Sequence, residues 1–360
     1  MPTPSRRPPP LIGATSHPRP TILPPRRLRP HTRNLARNPA YPSHFPFVTT
    51  ATLWYPAPPQ QTDKTTHNRR PMIIHIAILL VGVFACCTAV IIVKASTIHP
   101  ALLAAFRLLV AAAVLAPLYF RDRRRHRLTY KGRHLAATLA PAIALGIHFT
   151  LWIIGARRTT AANATLIVNM MPLVMPFYLY AFFRERITPR ELIATLLALA
   201  ATVCLTAGDF HLGHQTVIGD LACLAALLLL TYYLVLSRKN RHIPTLWLYL
   251  VPTYCFAGLL CLLISLFFVN PLARPYPPRE ILLILTLGIV PTVIGHSIFN
   301  YAMRHLRGQI VALVNLAQVA FAGALGYLFF RELPTTAFYI ATPLLAAALL
   351  VPLYQNKNTR

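Results

Sequence analysis

The sequence predicts an all-α polytopic membrane protein whose ten transmembrane helices form two inverted-topology five-helix repeats, and three observations carry this prediction. Apolar stretches of about 20 residues recur along the chain, and each is long enough to cross a hydrocarbon core of about 30 Å. Of the 360 residues, 56% are hydrophobic and only 12% are charged, which is about half the charged share of a soluble domain. A cluster of residues also recurs at one fixed offset, which indicates an internal duplication.

Residues 1–71 are predicted to be a disordered leader rich in proline and arginine. They hold 17 of the 33 prolines and eleven of the 35 Lys and Arg residues, without a sustained apolar period. Such a composition cannot bury a core, and the segment lacks the apolar stretch and cleavage site of a secretory signal. Because Met72 directly precedes the first span, it is a candidate true start, and the leader is then an artefact of gene calling.

Ten spans follow from Met72 onward, five in each of two segments. The first segment, 72–209, has spans predicted at 73–93, 101–120, 135–155, 161–183 and 191–207. The second segment, 210–354, has spans predicted at 217–236, 246–268, 281–301, 309–330 and 336–354. Short loops join them, so neighbouring spans run antiparallel, and 355–360 form a short tail.

The loop charges predict the orientation. Loops on one side of the membrane hold 15 Lys and Arg residues and those on the other side hold 6. The richer side is cytoplasmic by the positive-inside rule, and so are both termini. The net charge of +27 is therefore spread as in a membrane protein. It leaves no basic face of a folded soluble domain for nucleic acid.

An internal repeat is the most specific feature of the sequence. The run Ile193-Ala194-Thr195 recurs 147 residues later as Ile340-Ala341-Thr342. A second cluster recurs at the same offset: Tyr180, Phe182, Phe183, Arg184 and Glu185 become Tyr327, Phe329, Phe330, Arg331 and Glu332. Because each copy holds an odd number of spans, the second copy crosses the membrane in the opposite sense. In such an arrangement the binding site lies near the midplane between the repeats.

Three short motifs in this order resemble the EamA-type family of the drug/metabolite transporter superfamily. They are an Arg early in span two (Ala105-Phe106-Arg107), a Pro within span four (Met171-Pro172-Leu173), and a Glu after spans four and nine (Arg184-Glu185 and Arg331-Glu332). The resemblance covers 72–354 and makes both segments EamA-like repeats. It implies a ten-helix plasma-membrane carrier, often an exporter of amino acids or other metabolites, with a cavity lined mainly by spans three, four, eight and nine. Span one departs from the pattern, because Val83 to Cys87 stand where relatives often carry a Trp, so the substrate of a relative does not transfer.

Polar side chains inside the spans are the first candidates for the site, because they are costly in hydrocarbon. His148 and Trp152 share one face of span three, and His296 and Asn300 repeat that spacing in span eight. Helix rise places His148 about 4 to 5 Å, and His296 about 7 to 8 Å, beyond the middle of their spans, hence in opposite halves of the membrane. These histidines could bind substrate, carry a proton or bond only to a neighbouring helix.

Amides are the remaining cavity candidates: Asn163 and Asn169 in span four, and Gln309, Asn315 and Gln318 in span nine. Asn315 and Gln318 are three residues apart and can present one face jointly. Hydrogen bonds between helices explain these amides almost as well as a binding role.

Arg107 and two prolines have two interpretations each. Arg107 lies early in span two, within reach of the outer interface by snorkelling, and it either closes the helix bundle or contacts an anionic group. Pro172 and Pro291 remove backbone donors inside spans. They are either hinges for alternating access or kinks of packing.

These features predict a secondary-active transporter, an exporter of small metabolites such as amino acids or drug-like compounds, that works by alternating access. A non-transporting membrane scaffold or a channel is the alternative. The sequence has no nucleotide or metal motif and no deep carboxylate pair, so an enzyme, a metal site and a cofactor are not expected. The predicted partners are the lipid bilayer and a small-molecule substrate, without nucleic acid, and a homodimer is left open. The predicted location is the plasma membrane, a bacterial inner membrane.

Overall fold

The computed structural model describes residues 69–159, 161–206, 214–272, 275–321 and 336–351, within one unit that spans Thr66–Arg360. Helices make up the regular structure of these residues, and no strand occurs among them. The predicted leader up to residue 68, the second copy of the repeated cluster at 327–332 and the tail at 355–360 lie outside the described residues.

The first half of the described chain contains eight helices. They are α1 (Arg69–Cys87), α2 (Ala89–Ala95), α3 (Pro100–Arg125), α4 (Gly132–Ala136), α5 (Leu139–Arg158), α6 (Ala161–Asn169), α7 (Met171–Phe183) and α8 (Pro189–Thr206). The second half contains α9 (His214–Lys239), a 3₁₀ turn (Asn240–His242), α10 (Leu246–Leu266), α11 (Pro278–Leu287), a π-helical segment (Gly288–His296), α12 (Ser297–His305), α13 (Gly308–Asn315) and α14 (Thr336–Leu350).

Seven stretches of the described residues are long and apolar enough to cross a membrane. They correspond to predicted spans one to four and six to eight: Met72–Ala95, Pro100–Arg125, Gly132–Arg158, Ala164–Phe183, Val217–His242, Leu246–Leu266 and Pro278–His305. Helix α8 lies where span five is predicted, and shorter apolar helices at Gly308–Phe321 and Tyr339–Leu350 lie where spans nine and ten are predicted. The all-α prediction is thus confirmed for the described residues, whereas the count of ten spans and the inverted repeat stay predictions.

Two of the predicted spans are interrupted rather than continuous. In span one the regular helical pattern is interrupted for one residue between α1 and α2, at Thr88, which keeps helical backbone angles and whose hydroxyl donates to the Ala85 carbonyl at 2.8 Å. Span four breaks at Met170, and Pro172 lies in the first turn of α7. A proline is tolerated there because the first turn of a helix has no acceptor for its N–H.

Glycine allows a close helix contact between α5 and α9. A Cβ added to Gly155 would lie 2.5 Å from Cys223 Sγ and 2.8 Å from the Gly219 carbonyl oxygen, and a Cβ on Gly219 would lie 2.9 Å from the Arg158 carbonyl carbon. Small residues at such crossings let membrane helices pack backbone to backbone. The contact therefore requires glycine at both positions.

The outer surface of the bundle carries large apolar side chains. Phe177 is 77% exposed, Leu282 is 64% exposed and Leu221 is 61% exposed. A soluble protein rarely leaves so many apolar side chains uncovered. The surface is suited to lipid, and the polar groups that could form a site are turned inward.

Candidate functional site

A cavity lies inside the bundle. Its wall is mostly apolar, with a few polar groups that converge from different helices. The lining residues are Cys86, Cys87, Ala89, Val90, Arg107, His148, Phe149, Trp152, Thr165, Val168, Met171, Leu230, Leu234, Pro291, His296, Phe299, Asn315 and Gln318. The four spans expected to line it contribute, and so do spans one, two and six.

His148 and Trp152 both line the cavity from α5, as their spacing predicts. The His148 side chain is buried, and its Nδ1 lies 2.8 Å from the Ala226 carbonyl oxygen. Because a carbonyl oxygen only accepts, Nδ1 must carry the hydrogen, and Nε2 of the neutral ring is then an acceptor. The backbone of α9 thereby fixes the tautomer and the orientation of this ring.

His296 enters the cavity from the π-helical segment. Its ring centroid lies 6.4 Å from that of His148, closer than the separation of about 12 Å that helix rise alone predicts. Side chains on a helix tilt toward its N-terminus, and both residues lie beyond the middle of spans predicted to run oppositely, so both rings lean back toward the centre. His296 Nδ1 has no hydrogen-bond partner among the described residues.

Asn300 does not line the cavity, contrary to its predicted place beside His296. Its side-chain nitrogen donates to the Tyr233 hydroxyl and to the His296 carbonyl oxygen, both at 2.6 Å. The amide is fully buried. The amide nitrogen is thus bonded to its own helix and to a tyrosine of α9, which is the structural role that buried membrane amides often have.

Three amides form a chain of hydrogen bonds between the end of α6 and span nine. Asn315 donates to Asn169 Oδ1 at 3.0 Å, and Gln318 donates to Asn315 Oδ1 at 2.6 Å. Asn315 and Gln318 line the cavity, whereas Asn169 lines a separate, smaller pocket. The side chain of Asn163 lies outside the described part of the chain.

Arg107 is buried in the cavity wall instead of reaching the interface by snorkelling. Its side chain is 1% exposed. Nε donates to the Thr292 hydroxyl at 3.0 Å, and the guanidinium carbon lies 3.8 Å from the centre of the Phe149 ring. The ring face and the hydroxyl together hold the cation inside the bundle.

The two candidate hinges differ in position. Pro291 lines the cavity from within the π-helical segment, where the Thr292 hydroxyl donates to the Leu287 carbonyl oxygen at 2.8 Å. Pro172 lies outside the cavity, and its carbonyl oxygen accepts a hydrogen bond from Gln309 at 3.0 Å. Pro291 is thus itself part of the cavity wall, whereas Pro172 lies next to the lining residue Met171.

Sequence reasoning missed Phe149, Thr292 and Phe299. None of them is an unusual residue inside a span, so composition gives no signal. Phe149 follows His148 directly, and Phe299 lies three residues after His296 on one helical face, so the faces already chosen for the histidines could have included them.

Polar contacts join the first and second halves of the chain at one end of the bundle. Glu185 accepts from Arg238 and from Arg307, each at 2.9 Å, and Arg307 also lies 3.3 Å from Glu191. Both arginines belong to the second half and both glutamates to the first. We call these four residues the Glu185 cluster.

A second set of contacts joins the halves at the other end. Glu280 accepts from the Ser96 hydroxyl at 2.7 Å and from the Thr97 backbone N–H and hydroxyl at 2.8 and 2.9 Å. The Thr159 hydroxyl donates to Asp220 at 2.6 Å. We call these five residues the Glu280 cluster. Asp220 of this cluster and Arg238 of the other are 18 residues apart on α9, or about 27 Å, so the clusters lie at opposite ends.

Comparison with known proteins agrees with this architecture. The model of the EamA-like transporter family matches residues 72–207 and 217–354. Solute carrier family 35 member G1 of Mus musculus is 23% identical over 257 residues, which cover 67% of each chain. Aromatic amino acid exporter YddG of Ancylobacter novellus is 28% identical over 178 residues, which cover 49% of this chain and 60% of the exporter. One crystal structure of a protein that is 21% identical in sequence superimposes on this chain with a TM-score of 0.65. The match covers 78% of this chain and 96% of that chain, which shows a shared fold.

The family match extends over most of the chain and includes every helix that lines the cavity. The two relatives are a solute carrier and an exporter by name, in agreement with the expectation that this chain is not an enzyme. The resemblance found in the short motifs is thereby confirmed. The chain belongs to the EamA-like transporter family and is a multi-pass membrane protein of transporter type.

Proposed function

We propose that this protein is a secondary-active exporter of small metabolites that works by alternating access, with the central cavity as its substrate site. The observation that carries the proposal is the position of the cavity between two sets of contacts. The Glu185 cluster joins the two family-matched segments at one end of the bundle, and the Glu280 cluster joins them at the other. A carrier needs a central site and two gates that open in turn.

The two segments act as inverted five-helix repeats in this proposal. The family match occurs twice, at 72–207 and 217–354, and each segment holds five predicted spans. In this proposal both termini, and the end with the Glu185 cluster, face the cytoplasm of a cell whose plasma membrane holds the protein. The charge asymmetry of the loops supports this orientation. Rocking of one repeat against the other would break one cluster while the other stays formed.

Five residues are the proposed substrate contacts: His148, Trp152, His296, Asn315 and Gln318. They offer one aromatic face, two imidazoles and two amides within a mostly apolar wall, the usual composition of a small-molecule site. Asn163 stays a candidate on its position in span four. The aromatic wall, together with the name of the related exporter, favours metabolites with an aromatic or bulky apolar group.

Pro291 is the proposed hinge. It lies at the cavity within the π-helical segment, and such segments interrupt the regular ladder of helical hydrogen bonds and often occur at functional sites. A change of bend there would move His296 relative to His148. Pro172 has the weaker position, because it lies in the first turn of a separate helix.

Flux measurement in proteoliposomes tests the proposal. Labelled aromatic and aliphatic amino acids and drug-like amines are offered to the full chain with and without a pH gradient, and then to His148→Ala and Trp152→Ala. Trp247→Ala is the matched control, because Trp247 is half-buried in α10 and does not line the cavity. We expect saturable flux that falls about tenfold or more in the two cavity variants and stays near wild type in the control. Flux that rises linearly with concentration would indicate a channel, and no flux from folded protein would favour a scaffold.

A further inference from the structure

The cavity contains a buried positive charge that no described acidic group neutralises. Arg107 is 1% exposed, and its Nη1 has no hydrogen-bond partner among the described residues. The ion pairs found in the described residues are all near helix ends, at Asp122, Glu185 and Glu191. Arg107 is also the one permanently charged side chain in the described cavity wall.

This arrangement leaves the guanidinium partly compensated. An arginine stays protonated inside a protein, and a buried cation is unfavourable unless it is paired. The Thr292 hydroxyl accepts from Nε at 3.0 Å, and the face of the Phe149 ring lies 3.8 Å from the guanidinium carbon. These contacts orient the cation and reduce its cost, but they leave the buried Nη1 without a hydrogen-bond partner among the described residues, in a side chain that lines the cavity.

The chain itself has few acids that could pair with Nη1. It contains eight Asp and Glu residues in all, and none of them lies deep in a predicted span. The described members of this set lie near the ends of helices, and four of them belong to the contacts between the two halves: Glu185, Glu191, Asp220 and Glu280. An anion that meets Arg107 in the middle of the bundle must therefore be brought by the substrate.

We propose that the substrate is a small monocarboxylate with an apolar or aromatic body, and that its carboxylate binds Nη1 of Arg107. Thr292 is a positioning residue for this contact, and Trp152 and Phe299 of the wall contact the body of the substrate. One fixed cation matches one negative charge. A phosphate monoester carries nearly two charges at neutral pH and would keep one of them uncompensated. This inference rests on the proposed function and specifies its substrate class.

Binding of matched probes to the full chain in detergent tests the proposal. The probes are phenylacetate, its neutral isostere phenylacetamide, the cation phenethylamine and the dianion phenyl phosphate. The readout is the fluorescence of Trp152 in a chain whose two other tryptophans, Trp54 and Trp247, are changed to Phe. We expect phenylacetate to bind roughly 10- to 100-fold more tightly than phenylacetamide, the range for a hydrogen bond to a charged group.

Three variants separate the anion contact from folding. Arg107→Met is expected to bind phenylacetate and phenylacetamide equally, and Arg107→Lys to keep a reduced preference, because an ammonium cannot form the planar fork. Thr292→Val keeps the charge but removes the acceptor for Nε, so it also serves if Arg107→Met does not fold, and it is expected to reduce the preference. Arg157→Lys is the matched control, because Arg157 bonds to backbone carbonyls and does not line the cavity, and it should leave the preference unchanged.

The outcomes distinguish this inference from the proposed function. Equal binding of phenylacetate and phenylacetamide to the wild-type chain, tightest binding of phenyl phosphate or phenethylamine, or an unchanged preference in folded Arg107 and Thr292 variants would each overturn the carboxylate site. No binding of any probe would overturn it as well. Saturable flux without a preference for carboxylates would agree with the proposed transporter and contradict only this inference. Arg107-dependent binding without flux in proteoliposomes would support the site and contradict transport.

Discussion

Neutralising Glu185 is expected to open the end of the bundle where that residue lies. Glu185→Gln keeps the size of the side chain but removes the negative charge that Arg238 and Arg307 share, each at 2.9 Å. Both arginines belong to the second half of the chain, so they would lose their shared partner in the first half, while Arg307 keeps its contact with Glu191. The attraction between the halves at this end would weaken. The contacts at the other end, around Glu280, would be unchanged.

The magnitude follows from the exposure of the three side chains. Glu185 and Arg238 are 18% and 15% exposed, and Arg307 is 39% exposed, so solvent screens the pairs in part. Exposed pairs contribute about 0.2–1 kcal/mol each, and two partly shielded pairs therefore contribute about 1–2 kcal/mol together. Because about 1.4 kcal/mol is a factor of ten, the population open at this end should rise roughly 5- to 30-fold.

Labelling of a cavity cysteine measures that population. Val168 lines the cavity from α6, so Val168→Cys in a chain whose six native cysteines are replaced provides a single probe. A membrane-impermeant thiol reagent is added to either face of oriented vesicles. Glu185→Gln should speed labelling from the end that carries the Glu185 cluster and slow it from the opposite end.

Glu280→Gln is the matched variant, with the opposite sign. It weakens the three hydrogen bonds that Glu280 accepts from Ser96 and Thr97, so labelling should be faster from the end that carries the Glu280 cluster. The reasoning is refuted if the two variants change labelling in the same direction, or if Glu185→Gln changes neither rate.

Three further predictions concern stability and gating. Gly155→Ala should lower the stability of the protein in detergent by about 1–3 kcal/mol, because its Cβ would meet backbone atoms of α9, whereas Gly132→Ala has nothing within 4 Å of its Cβ and should melt as wild type. Asn169→Ala removes the acceptor of the hydrogen bond from Asn315 and should lower the free energy of unfolding by about 1–3 kcal/mol, the cost of a buried unpaired donor. A lower melting temperature would show this, whereas an unchanged one would place the Asn315 side-chain nitrogen in contact with water. Thr159→Val removes the hydrogen bond to Asp220 of α9. It should speed labelling of the cavity cysteine as Glu280→Gln does, and labelling at the wild-type rate would show that this contact does not hold that end closed.

Much of the candidate site could be predicted from the sequence, because helical spacing alone fixes which residues share a face. An interval of four residues puts His148 and Trp152 on one face, and an interval of three does the same for Asn315 and Gln318. All four line the cavity. Polar residues inside apolar spans are rare, so the number of candidates was small from the start. Whether these residues bind substrate stays a prediction.

The errors concern contacts between spans that are distant in sequence. Asn300 shares a helical face with His296, yet Tyr233 of α9 and the helix's own carbonyl occupy its amide. Arg107 lies within snorkelling reach of the interface by its position in span two, yet Phe149 and Thr292, from two other spans, hold it in the cavity wall. Single-span periodicity carries no information on such partners.

The breaks within spans were only partly predictable. Pro172 signalled a disturbance in span four, but a proline can kink a helix or start a new one, and the break lies at Met170. The break at Thr88 has no proline nearby. The contacts between the two halves, such as the pair between Glu185 and Arg238, join residues 53 positions apart and are evident only in the packed bundle.

The central claim, that the substrate passes through this cavity, is tested most directly by blocking the cavity covalently. Flux of the best-transported compound is measured in proteoliposomes that hold the Val168→Cys chain, before and after complete reaction with a bulky maleimide. The account predicts that modification abolishes saturable flux and that saturating compound slows the modification. Full flux after complete modification, or modification at the same rate with and without the compound, would contradict it.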